Sequence, residues 1–351
     1  MKTTIKQVLG IDVSQKELVT CLGIGYDDFT MVLKAHKVFA NTTRGFVLLL
    51  SWIAKQTDSS LSVRYVMEAT GVYHEKLAYF LEEQHKEVSI VLPNKISNYA
   101  RSLTVKTVTD KTASEAIARF GLERHLEIWK KPSDNYLKIR QLTRERDQLI
   151  VERNTAKNQL HAEKSSARPS EKSIERTHNR IMFLTKQEQE IRNEITELIQ
   201  SDQQVGQQVE LLCSLPGVGQ LTAAIVLAET NGFDLIRNKR QLISYAGLDV
   251  KEKQSGTSIK GQSRISKRGN RYLRKAMHLP ALSAVRHDDR YKNTFIRLVG
   301  RHGLKMKALV CVQRKLLEMC YIVFKNNAKY DKDFIKKQEA TEMEEKKLET
   351  A

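Results

Sequence analysis

The chain predicts an α/β domain followed by a mainly helical remainder, and three features carry that expectation. Residues 1–130 alternate β-branched strands with amphipathic helices. Residues 131–204 repeat apolar side chains at heptad steps between charged ones, which predicts a helical-hairpin coiled coil. Residues 205–330 hold apolar helical runs around a Pro-Gly turn of helix-hairpin-helix form. Beyond them, 331–351 has no apolar period and reads as a flexible charged tail.

A chain of 351 residues exceeds one typical core, so two or three domains are expected. Its net charge of +18 is unevenly placed. From Lys251 to Lys307 sixteen lysines and arginines face three acids, Glu252, Asp288 and Asp289. Such concentration points to nucleic acid rather than to general solubility. No apolar run approaches the ~20 residues needed to span a bilayer, and no signal-peptide core opens the chain. The four cysteines make no CxxC pair and no zinc spacing, so they read as reduced thiols of a cytoplasmic protein.

In the first domain, Ile5 to Ser14, Glu17 to Ile24 and Thr30 to Phe39 read as three strands, the first carrying Asp12 in its middle. Thr42 and Thr43 start a helix through Phe46, Leu49, Leu50 and Ile53. Ser62 to Met67 is a further strand ending at Glu68, and Gly71 opens a helix with Leu77, Phe80 and Leu81 inside. Val88 to Leu92 is a buried strand closed by Pro93, and Asp110 precedes a helix through Ile117 and Phe120. A mixed sheet with helices packed on it follows. Strand-borne carboxylates are costly in a core unless paired or bound to a cation. Asp12, Glu68 and Asp110, delivered by separate elements, form the all-oxygen set that Mg²⁺ or Mn²⁺ requires. Singly, each reads as a capping or surface acid, and only together do they make the case for a cation.

The hairpin reading rests on Ile139, Leu142, Leu149, Ala156 and Leu160 before a Pro-containing break, and on two rows after it. One row is Ile174, Ile181 and Ile195; the other is Leu184, Ile191 and Leu198. It serves as a spacer or as a dimerisation element. In LPGVG, Gly217 and Gly219 can expose backbone N–H groups at a helix start, a form that grips phosphate without reading sequence. A strand-like piece then ends at Leu248, and glycines at 256 and 261 break the chain around Ser255. Lys260, Arg264, Lys267, Arg268, Arg271 and Arg274 surround that serine, so a hydroxyl sits among phosphate-binding groups. A helix from Tyr272 to Val285, kinked or ended in its first half by Pro280, and a long one from Leu304 to Phe324 complete the chain.

Four stretches carry a family resemblance in the right order: GIDVSQKEL, EATGVY, LPGVGQLTA and YAGLDVKEKQSGTSIKG with RISKRGNRYLRKAMHLPA. Together they resemble the insertion-sequence-110 family of transposases and their Piv-type DNA-invertase relatives. The resemblance implies an N-terminal RuvC-like, RNase H-fold domain, a coiled-coil linker and a C-terminal transposase domain. It also implies DNA as substrate, an element-encoded guide RNA, a homo-oligomer, and bacterial cytoplasm with nucleoid association when acting. Asp12, Glu68 and Asp110 match the first three acids of the family's DEDD set. Ala113 stands where its fourth acid is expected. Glu115 is a substitute, but five residues of helix turn it ~140° from the Asp110 direction, and Thr112 to Glu115 reads as a capping box. Ser255 matches the nucleophilic serine, which implies in-line attack on DNA, a phosphoserine link and a free 3′-hydroxyl. Because the long hairpin separates the two halves, a composite site, with Ser255 from one subunit and the acids from another, is left open beside one within a single chain.

Rivals remain at this stage. GIDVS also begins sugar-kinase and actin-like folds, yet the further Gly-rich phosphate loops they need are missing from the sequence. A RuvC-like nuclease using metal-activated water would leave Ser255 idle, and a non-catalytic nucleic-acid-binding protein would use neither set.

Overall fold

The computed structural model describes residues 2–69, 71–103, 107, 109–234, 236–252, 254, 255, 259, 260 and 264–333, with backbone alone at 254, 255, 259 and 260. The expected breaks at Gly256 and Gly261 and most of the expected tail, residues 334–351, lie outside the described residues. The chain divides into two compact units, Met1–Lys131 and Pro132–Ala351.

The first unit opens with β1 (Thr4–Val13), β2 (Glu17–Tyr26) and β3 (Met31–Ala40). Next come α1 (Thr43–Gln56), β4 (Val63–Glu68), α2 (Glu75–Glu83), β5 (Glu87–Val91), α3 (Pro93–Ser102) and α4 (Asp110–Glu123). The sheet order is β3-β2-β1-β4-β5. β1, β2 and β3 pair antiparallel, whereas β4 lies parallel to β1 and β5 parallel to β4. The mixed sheet predicted from alternation is present. One face buries Leu9, Ile11, Leu22, Phe46, Leu49 and Leu77 against α1 and α2. The other packs Val8 and Val66 on Ile117 and Leu122 of α4. Each such side chain contributes roughly 1.5–3 kcal/mol by leaving water.

Three local readings are corrected here. Gly71 lies at φ +59° in a turn, and the helix it was expected to open begins four residues later at Glu75. Pro93 does more than close β5: it is the first residue of α3, where its missing N–H costs nothing. The cap of α4 is a Thr109–Thr112 box, one turn before the predicted Thr112–Glu115 pair.

The second unit begins with α5 (Asp134–Lys164) and α6 (Glu171–Ser201), each of 31 residues. They pair antiparallel: the Ser170 N–H donates to Glu163 at the turn, and Ile139 shares a core with Ile191, Ile195 and Ile199. Of the predicted rows, Ile139, Ala156, Leu184, Ile191 and Ile195 are buried, and the rest are half-buried. Among the buried positions along the pair, Thr143 is polar and Glu188 is charged. Glu188 bridges Arg146, at 2.7 Å, and Arg153, a buried charge held by two partners.

Then follow α7 (Gln203–Cys213), α8 (Gln220–Thr230), α9 (Lys239–Tyr245), β6 (Val250–Lys251), β7 (Gln254–Ser255), β8 (Ile259–Lys260) and β9 (Arg264–Ile265). The unit ends with α10 (Arg271–Ala276), α11 (His278–His287), α12 (Asp289–His302) and α13 (Lys305–Asn326). Their core is built from Leu212, Leu227, Phe233, Leu242, Met277 and Leu316, among others. The strand-like piece expected before Leu248 is instead the short helix α9, which turns Leu242 and Ile243 inward. The helix expected across Tyr272 to Val285 breaks at Met277, before Pro280, which then sits in the first turn of α11. Among the described residues no helix is long and apolar enough to cross a membrane.

Candidate functional site

Parallel pairing places Ile11 of β1 beside Met67 of β4. Side chains alternate along a strand, so Asp12 and Glu68, one step on, share the opposite face. That face is the one α4 covers. Gly10 permits the approach: a Cβ there would lie 2.3 Å from the Ala118 nitrogen and 2.4 Å from the Ser114 oxygen. With Ile117 and Leu122 near Val8, and Ser114 near Gly10, the first turn of α4 is carried toward Asp12. Asp110 is the first residue of that helix. Asp12 is the penultimate residue of β1 rather than its midpoint, which leaves its carboxyl at the sheet's end.

Asp12 feels the charges of the other two acids. Asp12 is pushed up to about 6 by its burial, then by the negative charges of Asp110 and Glu68, against a lowering hydrogen bond from the Val13 backbone. Yet no three His, Cys, Asp or Glu side chains among the described residues stand as a cage for one ion. The donors fit a hard divalent cation in kind, as an open frame whose other ligands would be water or phosphate. Glu115 is otherwise engaged: its Oε1 lies 3.0 Å from Nε2 of His36 on β3. Ala113 lines a cleft of about 730 Å³ together with Glu68, Arg101 and Arg119. The place of the missing fourth acid therefore opens onto the same space as Glu68, flanked by two cations suited to phosphate.

In the second unit, Gly217 adopts φ +77°, while Gly219 at φ −92° precedes α8. The two glycines differ in surroundings. A Cβ on Gly217 would strike the Pro280 oxygen at 2.5 Å, so that turn is packed on α11, whereas the space around Gly219 is open. After α9 the chain is pinched into a neck. The Asn270 N–H donates to the Tyr245 carbonyl at 2.6 Å, and the Lys267 N–H to that of Gly247 at 3.1 Å. Beyond the neck, Val250 and Lys251 pair with Ile265 and Arg264. Further out, Ser255 pairs with Ile259, and Gln254 with Lys260. The side chains of Ser255 and Lys260 lie outside the described residues. Arg264, Lys267, Arg268 and Arg271 are exposed. Arg274, grouped with them from sequence, instead directs Nη1 to the Ala246 carbonyl at 2.7 Å and fastens the neck from inside.

Sequence reasoning missed the residue beneath this neck. Glu229, the penultimate residue of α8, is almost wholly buried and accepts hydrogen bonds from Arg144 and from Asn270 Nδ2, the latter at 2.6 Å. The Tyr245 hydroxyl donates to its carbonyl at 2.9 Å. Asn270 also caps α10 through the Leu273 N–H. A lone acid in the apolar run AAIVLAET was the available signal.

The chain is 30% identical over 334 residues to the pilin gene-inverting protein of Moraxella lacunata, spanning 93% of this chain and 98% of that one. Residues 9–163 match a transposase model of the DEDD type of IS110, and 209–296 match the model described as transposase IS116/IS110/IS902 family. The chain belongs to the IS110 family of transposases. Within the family, the pilin gene-inverting protein of Moraxella bovis matches over the same 93% of the chain at 30% identity. The IS110 uncharacterized 43.6 kDa protein of Streptomyces coelicolor is 31% identical over 121 residues, 34% of this chain and 30% of that one. Among solved structures, T. thermophilus RuvC in complex with Holliday junction substrate is similar over 35% of this chain and 99% of that one. At 11% identity and a TM-score of 0.26, that likeness is too weak to build on. As an IS110-family transposase, the chain is a DNA recombinase in the general sense.

Proposed function

We propose that this IS110-family transposase cuts and rejoins DNA through a phosphoserine intermediate on Ser255, with Asp12, Glu68 and Asp110 holding Mg²⁺ or Mn²⁺. The observation that carries the reading is the convergence of those acids on one face of the sheet, felt as mutual repulsion at Asp12. A divalent cation held there supplies charge neutralisation at a scissile phosphate and acidifies a bound hydroxyl. The strand order, three antiparallel strands and then two parallel to β1, supports an RNase H-like (RuvC-like) first unit. We read the α5–α6 hairpin as a coiled-coil spacer and α7–α8 as a helix-hairpin-helix that holds phosphates through Gly219.

The Ser255 oxygen attacks phosphorus in line. Its bond to phosphorus forms as the bond to the 3′ oxygen breaks, the serine proton passes to a carboxylate or water, and the departing oxygen takes up a proton. A 3′-hydroxyl from another strand reverses these changes and rejoins the DNA. Arg264, Lys267, Arg268 and Arg271 hold flanking phosphates and offset the developing charge. The partner choice belongs to an element-encoded guide RNA pairing with both DNAs. The working form is a homo-oligomer in the bacterial cytoplasm, at the nucleoid when acting.

The test uses end-labelled DNA and denaturing gels. Wild type traps a covalent protein–DNA adduct, Ser255→Ala loses both adduct and cutting, and Asp12→Asn loses both. Cutting that persists in Ser255→Ala without any adduct would instead establish a hydrolytic RuvC-like nuclease. Binding with no cutting by wild type in Mg²⁺ or Mn²⁺ would leave a binding protein.

A further inference from the structure

We propose that a cleft in the second unit, between α5, α8, α10 and α11, receives an unpaired nucleotide of the DNA. The inference rests on the chain acting on DNA and adds a place where a base leaves its duplex. The cleft measures about 630 Å³, within the range that encloses small ligands. Its floor is aliphatic, made by Ile150, Leu221 and Ile225, and Leu279 at its lip is 72% exposed. An apolar side chain left this open beside cations suits a partner with a flat apolar body and a negative edge. A nucleotide has both.

The rim supplies the charge. The Arg271 guanidinium lies 4.8 Å from the Tyr272 ring centre and donates to its hydroxyl at 2.9 Å, so the ring ties down a residue that is otherwise exposed. The Arg144 guanidinium, also 4.8 Å from that ring's centre, fixes the ring in turn. Lys275, one helical turn along α10 from Arg271, adds a cation, and Asp147, the one acid lining the cleft among the described residues, is already paired with it. Gln313, 4% exposed, lies on the wall with its amide nitrogen 2.8 Å from Nδ1 of His278, a polar edge of the kind that meets a base. The first turn of α8 forms one side, so a strand whose phosphates follow Gly219 passes the cleft mouth. A duplex keeps its bases stacked inside and presents none to a recess of this shape. An apolar metabolite would find the cationic rim unfavourable.

Fluorescence anisotropy on the full chain in EDTA tests this without any chemistry. The probes are a short oligodeoxyuridylate and an abasic strand of equal length, which carry the same phosphates. Wild type is expected to hold the base-bearing strand about tenfold tighter. Leu279→Ala and the cleft-filling Ile150→Trp should remove most of that preference and leave the affinity for the abasic strand and for duplex DNA unchanged. Arg271→Ala should weaken all three. Equal affinity for the two single strands in wild type, or a preference that survives both variants, overturns the proposal while duplex binding keeps the proposed function standing. Oligouridylate bound more tightly than oligodeoxyuridylate would also overturn it, by assigning the cleft to RNA. Failure to bind any DNA would sink both readings.

Discussion

Arg144 clasps Glu229 with two parallel hydrogen bonds, from Nε and Nη2, each of 2.8 Å. This fork joins α5 to the end of α8, and Asn270, bonded to the same carboxylate, extends the joint to the start of α10. The serine-bearing ribbons are anchored at their neck by a buried charge that touches none of the loop's own cations. A charge this deep is tolerated only because three donors meet it.

Removal of Glu229 should therefore reach well beyond its own side chain. Glu229→Ala takes the acceptor from the half-exposed Arg144 guanidinium and from the Asn270 amide, at a cost of about 1–3 kcal/mol. Thermal melting should report that loss, and hydrogen exchange should report early opening of the α10 amides. Glu229→Gln keeps the shape and should fall between wild type and alanine. A Glu229→Ala protein that melts with wild type would refute the anchoring role.

The acid site carries a pH signature. Asp12 folds with its carboxyl raised from 3.8 to about 6, so the folded state binds the extra proton and gains stability from it below that range. The gain is complete near pH 3.8 and lost as pH rises through about 6. Above that, metal-free protein bears a destabilising charge, of about 1–2 kcal/mol once its solvent contact is allowed for. Asp12→Asn should accordingly raise the melting temperature in EDTA at pH 7.5 and do little at pH 4. A variant equally stabilised at both values would show that the charge is not the cause.

Much of this was legible in the sequence, for identifiable reasons. The strands bearing Asp12 and Glu68 announce themselves through β-branched alternation, and heptad spacing drew the α5–α6 pair. What stayed hidden depends on contacts distant in the chain. His36 claims Glu115 across the sheet, which no local spacing encodes. Leu242 and Ile243 look alike in a buried strand and in a seven-residue helix. Pro93 ends one element and begins another, and only the second role needs the fold to be seen. Arg274 belongs by composition to the basic loop, yet geometry points it inward to Ala246.

Gly10 is where the acids' arrangement is most exposed to a single methyl group. Gly10→Ala drives a carbon into the backbone of α4 at Ser114 and Ala118, which cannot yield as a side chain end would. Overpacking of this kind costs about 1–3 kcal/mol or more. The helix that carries Asp110 must move off β1, so divalent binding should weaken along with stability. Calorimetric titration with Mn²⁺ beside a thermal melt separates the two effects. Unchanged binding in a destabilised variant would mean that α4 does not set the acids' spacing.

Ala113 offers the converse experiment. It lines the cleft with Glu68, one turn along the helix that Asp110 begins, where the family pattern has an acid. Ala113→Asp adds a fourth carboxylate to an open frame of three, and the nearby Arg101 and Arg119 moderate the added repulsion. Affinity for a hard cation rises with the number of charged oxygen ligands, so Mn²⁺ should bind about tenfold tighter. The amide of Ala113→Asn brings an oxygen without the charge and should gain less. Metal-free Ala113→Asp should melt lower than wild type, because four acids repel more than three, and Mn²⁺ should restore it. Ala113→Asp protein with wild-type Mn²⁺ affinity would place the cation elsewhere than among Asp12, Glu68 and Asp110.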